Sequence, residues 1–310
     1  MRAAVVTSFD SPPRYGEYPD PVAHGKDEVV VEVLAAGLHP RVRSQADGSH
    51  YTSTDELPLV PGVDAVVRDP EGRIRYTVMD DTTLGTMAER TVIDLNRSVV
   101  LPHGIDPALL AAAMNPVMSS WVALRRRVDP PRKQRVLVLG ATGNAGRMAI
   151  QVAKRFGAAH VIAAGRDEVL LAELPALGAD RTCRFDQLAG ACDVDVVIDY
   201  VWGEPSARAM VDMLTARRDR GAPITWIQIG SVAGPTAPIP SAALRSARLN
   251  IVGSGIGSVP GRDFIKELPK LASAIAGGAF DVRVRTLPLA DVEQAWTDAA
   301  TTRDRIVLVP

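Results

Sequence analysis

The chain is predicted to be an α/β protein, with a doubly wound parallel sheet in its middle and a β-rich first third. Three observations predict this. The strand pattern Arg135-Val-Leu-Val-Leu139 runs directly into the glycine-rich turn Gly140-Ala-Thr-Gly-Asn-Ala-Gly146, and a helical pattern follows from Arg147. Strand patterns at 135–139, 160–164, 194–199 and 224–229 alternate with helical stretches, which is the arrangement of parallel βα units. Residues 3–7, 29–34, 65–68 and 88–93 instead read as short strands separated by Pro, Gly and Asp turns.

The first βα unit is the most informative. Residues 136–139 form an apolar run suited to a central strand buried on both faces, and Ala149, Val152, Ala153 and Phe156 fall on one face of the following helix. Gly157 supplies the stop. Glycine between the strand and the helix lets the backbone turn tightly and approach a pyrophosphate, whose charge is met by unpaired N–H groups at the helix start. Ala141, Thr142, Gly143, Asn144, Ala145 and Gly146 are therefore assigned to a dinucleotide. Close packing of helix on sheet also calls for glycine, so the turn is read together with its neighbours. The second strand ends ~20 residues past the glycines, where a dinucleotide fold reads the adenosine ribose.

At that point an NAD site normally places a carboxylate, and this chain has Ala164-Gly165-Arg166. A guanidinium there pairs bidentately with a phosphate, so Gly165 and Arg166 predict preference for NADPH over NADH. Asp167 and Glu168 compete with this reading unless they form the acidic first turn of the next helix.

A helical pattern spans 108–124. Further strands are expected at 249–252 and 282–286, and an apolar strand at 306–309 is expected to return to the first domain. Residues 230–240, rich in Gly and Pro, should form a loop at the carboxyl edge of the sheet. Tyr200 and Val201, at the end of the third strand pattern, and Gly230 and Ser231, at the end of the fourth, lie on the edge where cofactors bind.

Composition removes other classes. With 35 Lys and Arg against 36 Asp and Glu, the chain lacks the basic excess that nucleic acid requires, and Arg125-Arg-Arg127 reads as the solvated end of a helix. No apolar run approaches the ~18 residues of a membrane span, and residues 1–6 start as a strand with no signal-peptide pattern, so a cytoplasmic location is expected. Cys183 and Cys192 form no disulfide framework.

Taken in order, several segments resemble the quinone-oxidoreductase branch of the medium-chain dehydrogenase/reductase superfamily over nearly the whole chain. Ala35-Ala-Gly-Leu-His-Pro40 is similar to the first active-site loop, Leu57-Pro-Leu-Val-Pro-Gly62 to the proline-glycine turn, and Gly85-Thr-Met-Ala-Glu-Arg90 to the strand introducing the interdomain helix. Asn115-Pro-Val-Met-Ser-Ser-Trp121 resembles the start of that helix, and Ala141-Thr-Gly-Asn-Ala-Gly146 fits the family's AxGxxG turn. The resemblance implies a Rossmann domain at 116–285, a β-rich GroES-like catalytic domain from 1–115 and 286–310, and a cofactor between them. It also implies a homodimer paired through the sheet edge near 249–252.

The same resemblance supplies candidate residues. Tyr51 matches a tyrosine near nicotinamide and substrate, where its phenol could donate a hydrogen bond or proton; ordinary loop packing is the competing reading. His39 could orient the nicotinamide ribose or the substrate, or merely pair with backbone. Asn115 and Ser119 are placed near the cofactor, although Asn before Pro is also a helix-start signal. Val201 is expected beside the nicotinamide ribose, and Gly253 and Ser254 beside the nicotinamide amide. Arg184 and Phe185 are expected near adenine or its phosphate, or on the surface.

Zinc relatives hold their metal with cysteine, histidine and an acid. Here His39 stands near the cysteine position, Val63-Asp64 replaces a His-Glu pair, and both cysteines lie in the nucleotide half, short of three ligands. No metal is expected. The predicted reaction is NADPH-dependent reduction of a quinone or an α,β-unsaturated carbonyl. Two alternatives stand: an enoyl-thioester reductase, with Arg41 and Arg43 attracting an anionic carrier, and a protein that binds NADPH without turnover.

Overall fold

The computed structural model describes residues 1–128, 132–255 and 257–310. The chain separates by its internal packing into two units, one formed by Met1–Asn115 with Ile265–Pro310 and the other by Pro116–Phe264.

In the first unit, β1 (Arg2–Val5) and β2 (Arg14–Glu17) pair antiparallel. The organising strand is β3 (Glu28–Leu38). Its valines alternate with Glu32, so Val31 and Val33 enter the core while Glu32 faces solvent. β4 (Asp64–Arg68) pairs with it across a bulge, β5 (Ile74–Val78) pairs with β4, β6 (Arg90–Asp94) pairs with the first half of β3, and β7 (Ser98–Val100) pairs with β5. The patterning does not predict β2, β5 or β7. In β5 the reason is that Arg75 and Thr77 are buried beside Tyr76 and Val78, which hides any polar-apolar alternation.

Arg75 is tolerated inside because Asp69, in the turn joining β4 to β5, meets it. Asp69 Oδ2 accepts from Arg75 Nε at 2.8 Å and Arg73 Nε at 2.7 Å, and Oδ1 accepts from the backbone N–H groups of Glu71 and Arg73. Burial pushes the Asp69 carboxyl up, but the hydrogen bonds from Arg75 and then Arg73 outweigh it and leave a value lowered to about 2. The folded value lies below the unfolded ~3.9. Asp69 therefore stabilises the fold above pH ~4, and this contribution is lost as pH falls toward 2. Denaturant titrations of wild type and Asp69→Asn should differ most near neutrality and converge through that window; a gap constant with pH would refute the assignment.

The second unit carries the parallel sheet. Its strands are β8 (Arg135–Leu139), β9 (His160–Gly165), β10 (Arg181–Arg184), β11 (Val196–Asp199), β12 (Ile224–Gln228) and β13 (Leu249–Gly253). They lie in the order β10-β9-β8-β11-β12-β13, every neighbouring pair parallel. The order reverses between β8 and β11, which is the topological switch point where such sheets bind ligands. The helix Asn144–Arg155 buries Ala149, Val152 and Ala153 of the predicted face, with Met148 and Ile150 beside them, while Phe156 lies at the C-cap and is half-buried. β10 is a short strand missed by patterning: of its four residues only Cys183 is buried.

The chain returns to the first unit through the helix Leu268–Ala276, β14 (Val284–Pro288) and β15 (Arg305–Val309). β15 pairs antiparallel with the end of β3, Ile306 opposite Leu38 and Leu308 opposite Ala36, as expected. The second division falls at 264/265 rather than at 285/286. The helix Leu268–Ala276, with Leu268, Leu271 and Ile275 buried, packs beside β7 and so belongs with the first unit.

The helical stretch Pro107–Arg127 corrects another expectation. Its 21 residues are long and apolar enough to cross a membrane, but 72% of its most apolar window is buried inside the protein, as in a core helix. It starts at Pro107, where Asp106 Oδ1 accepts from Ala108 N–H at 2.9 Å, so Asn115 and Pro116 are interior and mark no helix start.

Candidate active site

The turn after β8 has the shape of a phosphate cradle. Gly140 takes φ +78°, a conformation that costs other residues, and a Cβ there would meet Val201 Cγ2 at 3.1 Å. At Gly146 a Cβ would lie 2.3 Å from the Gly140 oxygen and 2.6 Å from Ala141 Cα, so this glycine lets helix and strand pack. Gly143 is different. It is exposed, adopts φ −77°, and a Cβ there would meet only the Gly140 oxygen, at 3.6 Å. Neither backbone strain nor internal packing calls for glycine at 143, so the space above it is what the glycine preserves. The first helical bond runs from Arg147 N–H to Gly143 O at 2.9 Å, and the N–H groups of Asn144, Ala145 and Gly146 precede it.

Gly165 ends β9 under Thr142, whose Cγ2 would lie 2.9 Å from a Cβ. Asp167 Oδ1 accepts from the N–H groups of Val169 and Leu170 at 2.9 and 3.2 Å, capping the next helix. Glu168 pairs with Arg184, which also holds Asp186. Both carboxylates thus have local partners. Arg166 is exposed and, among the described residues, makes no hydrogen bond or ion pair. Phe185 packs against the core of this unit.

At the end of β11 the buried Asp199 acts as a bracket. Its Oδ1 accepts from Val201 N–H at 2.8 Å and Trp202 N–H at 3.0 Å, and its Oδ2 from Trp226 Nε1 at 2.8 Å. These bonds hold Trp202 at φ +54°, an uncommon conformation for a bulky residue. The bracket presents Tyr200 and Val201 beside the turn: Gly140 lies against Val201, and a Cβ at Gly230 would meet the Tyr200 oxygen at 2.7 Å. Ser119 Oγ lies 2.9 Å from Tyr200 Oη. Burial raises the Tyr200 phenol to about 12, against the lowering effect of Ser119 and Ser120, so it stays protonated. Ser231 is exposed on the following loop. After β13, Gly253 is open around its Cα, its carbonyl accepts from Arg127 Nε at 2.8 Å, and buried Ser254 donates its N–H to Gln228 O.

In the first unit His39 follows β3 and caps the short helix Pro40–Ala46. It is buried, and its Nε2 lies 2.8 Å from Asp64 Oδ1. Asp64 Oδ2 accepts from Tyr76 Oη at 2.7 Å. His39 thus pairs with a side chain and not with backbone. Burial pushes the imidazole below its ordinary value, Asp64 only partly opposes this, and Arg305 and Arg41 add to it, so the ring is neutral. Tyr51 is 73% exposed and stacks on His50 with ring centroids 4.2 Å apart. Asn115 is half-buried.

Arg41 and Arg43 both have partners within the first unit. Arg41 bonds Thr52 and Asp81, while Arg43 Nη1 donates to Trp296 O at 3.0 Å with its guanidinium over that ring. The roles of Asp199, Trp226, Tyr76 and Arg305 escaped sequence reasoning. The signal available was a carboxylate at each of two strand positions otherwise buried, 64 and 199, since a buried acid needs donors.

A parallel sheet of this order, with a glycine-rich strand-to-helix turn at its switch point, is the arrangement of a dinucleotide-binding fold. No family model matches the chain. It is 30% identical to the protein named "Probable NADPH-dependent quinone reductase tdiC" of Emericella nidulans, with all of both chains covered. It is 29% identical to the "NADPH-dependent alkenal/one oxidoreductase, chloroplastic" of Arabidopsis thaliana over 50% of this chain and 44% of the relative. The quinone oxidoreductase from Thermus thermophilus, whose crystal structures include a complex with NADPH, superposes with a TM-score of 0.83 at 25% identity, covering 100% of both chains. The chain belongs to the quinone-oxidoreductase branch of the medium-chain dehydrogenase/reductase superfamily.

Proposed function

We propose that the protein is an NADPH-dependent reductase of quinones or α,β-unsaturated carbonyls that works without zinc. The observation that carries this is the open space above Gly143, which the fold itself does not need, facing a helix N-terminus. The residues fit the cofactor. Gly143 and the N–H groups of Asn144, Ala145 and Gly146 hold the pyrophosphate, Arg166 meets the 2′-phosphate, and Val201, Gly230, Ser231, Gly253 and Ser254 border the nicotinamide half. NADPH, when bound, supplies the hydride.

The chain's own groups orient and polarise. Tyr51 offers a phenolic O–H to the oxygen that gains negative charge, and Ser119 and Tyr200 supply a protonated hydroxyl pair. The donor set supports a reaction without zinc. Among the described residues no group of three His, Cys, Asp or Glu converges, and His39 Nε2 is committed to Asp64. Association into a homodimer through β13, the outer strand of its sheet, is part of the same reading, and sedimentation at micromolar concentration tests it.

Stopped-flow absorbance of NADPH after mixing with a soluble quinone, an enone and an enoyl thioester tests the activity. Oxidation with the quinone or the enone is expected. Oxidation with the thioester alone would move the assignment to that class, and tight binding with no oxidation would make the protein a binder without turnover.

A further inference from the structure

We propose that Asp199 is a positioning residue for NADPH: its carboxylate, braced by Trp226, sets the backbone of residues 200–202 in the shape that borders the cofactor before the cofactor arrives. The proposal rests on the reductase reading for the identity of the cofactor, and every residue it uses lies in the second unit.

The placement follows from strand pairing. In the register of β11 with β12, Val197 stands opposite Trp226 and Asp199 opposite Gln228. Asp199 and Trp226 are therefore diagonal neighbours on one face of the sheet, within reach of a long side chain. Trp226 Nε1 donates to Asp199 Oδ2 at 2.8 Å, which leaves Oδ1 for the N–H groups of Val201 and Trp202 at 2.8 and 3.0 Å. The backbone oxygen of Asp199 accepts from the N–H groups of Ile229 and Gly230 at 2.8 and 3.1 Å. One residue thus ties the ends of both strands together.

Burial makes the choice of residue informative. Asp199 and Trp226 are both fully buried, and among the described residues no Lys or Arg pairs with Asp199. A carboxylate in such a place is costly, and an amide would cost less to bury. Only a carboxylate accepts on both oxygens, and here donors converge from both sides. What those donors secure is an unfavourable backbone. Trp202 has φ +54° and ψ −161°, at the margin of a region that only glycine adopts freely, and such conformations persist where the surroundings over-determine them. The segment held this way touches the cradle: a Cβ at Gly140 would meet Val201 Cγ2 at 3.1 Å and Tyr200 Cβ at 3.4 Å, and Tyr200 N–H donates to Leu139 O at 3.2 Å. Ala233 N–H donates to Val201 O at 2.9 Å, so the loop after β12 rests on the same segment. A change at Asp199 therefore moves Val201, Gly230 and the turn together, although Asp199 itself has no surface to offer a ligand.

NADPH affinity, measured without an acceptor, and thermal stability, read on the same variants, test the proposal. Asp199→Asn places one acceptor and one donor where two acceptors are needed, so an N–H must face an N–H and the bracket shifts. Affinity should fall roughly tenfold or more. Adding Trp226→Phe removes the opposing N–H and should recover most of that loss, which is the coupling a double-mutant cycle reads. Asp69→Asn in the first unit is the control, expected to lower stability and leave affinity unchanged. Asp199→Asn that melts lower but binds NADPH within about twofold of wild type makes the bracket purely structural and overturns the proposal. No recovery in the double variant overturns the part given to Trp226. Amide hydrogen exchange of the wild type without NADPH needs no variant: Val201 and Trp202 should already be protected, and fast exchange there until NADPH is added overturns the proposal. If Asp199→Asn fails to fold, the exchange measurement and the double variant still decide. Should wild type bind NADPH and reduce no acceptor, the reductase reading fails and this inference stands.

Discussion

Gly143→Val is expected to weaken NADPH binding severely while leaving the fold intact, whereas Gly146→Ala is expected to destabilise the fold itself. The two glycines lie three residues apart in one turn, yet their surroundings differ in kind. A side chain at 143 finds open space and a φ of −77° that valine adopts readily, so the stability cost is confined to a poorer helix cap, about 1 kcal/mol. The same side chain occupies the space above the helix N-terminus that a pyrophosphate would fill, and a dissociation constant raised at least roughly a hundredfold is expected, equivalent to about 2.7 kcal/mol. At 146 even one methyl group meets backbone atoms at 2.3 and 2.6 Å, which must move the helix away from the strand. Overpacking of this sort costs about 1–3 kcal/mol or more. Thermal melts with and without NADPH separate the two effects. Full binding by Gly143→Val would remove the cradle assignment.

Arg166→Ala is expected to erase discrimination between NADPH and NADH. Of the charged residues at the end of β9, Asp167 is used as a helix cap and Glu168 is paired with Arg184, whereas Arg166 is exposed and, among the described residues, makes no ion pair. A guanidinium free to form a charge-assisted pair with the 2′-phosphate is worth about 1.5–3 kcal/mol, or roughly ten- to a hundredfold in affinity. The KM for NADPH should rise by that factor and that for NADH should hardly change. Arg184→Ala is the comparison: its cation is already shared between Glu168 and Asp186, so its loss should change the preference less. If the ratio of the two KM values is the same in Arg166→Ala as in wild type, specificity lies elsewhere.

The nucleotide half was legible in the sequence because its information is local. A central parallel strand is apolar throughout, so β8, β9, β11 and β12 stand out, and the glycine turn follows its strand without interruption. The identity of Gly165-Arg166 could be read in the same way, since strand-end residues follow from the strand. β10 escaped because its residues are mostly polar on a short strand, and β5 because its inward residues include Arg75, made tolerable by an aspartate six positions earlier.

By itself, the sequence determined the order of the βα units, the place of the glycine cradle and the return of the last strand to the first unit. Each depends on residue type at close spacing. Only the tertiary structure decided that Gly143 is open while Gly146 is closed, that the helix Leu268–Ala276 belongs with the first unit, and that Arg41 and Arg43 are bound internally. It alone joined His39 to Asp64 and Tyr76, residues 25 and 37 positions away in the chain, and brought Arg305 to Leu38 from 267 positions away. The physical reason is that a buried polar group is defined by its partners. Strand pairing, and not any local pattern, selects those partners.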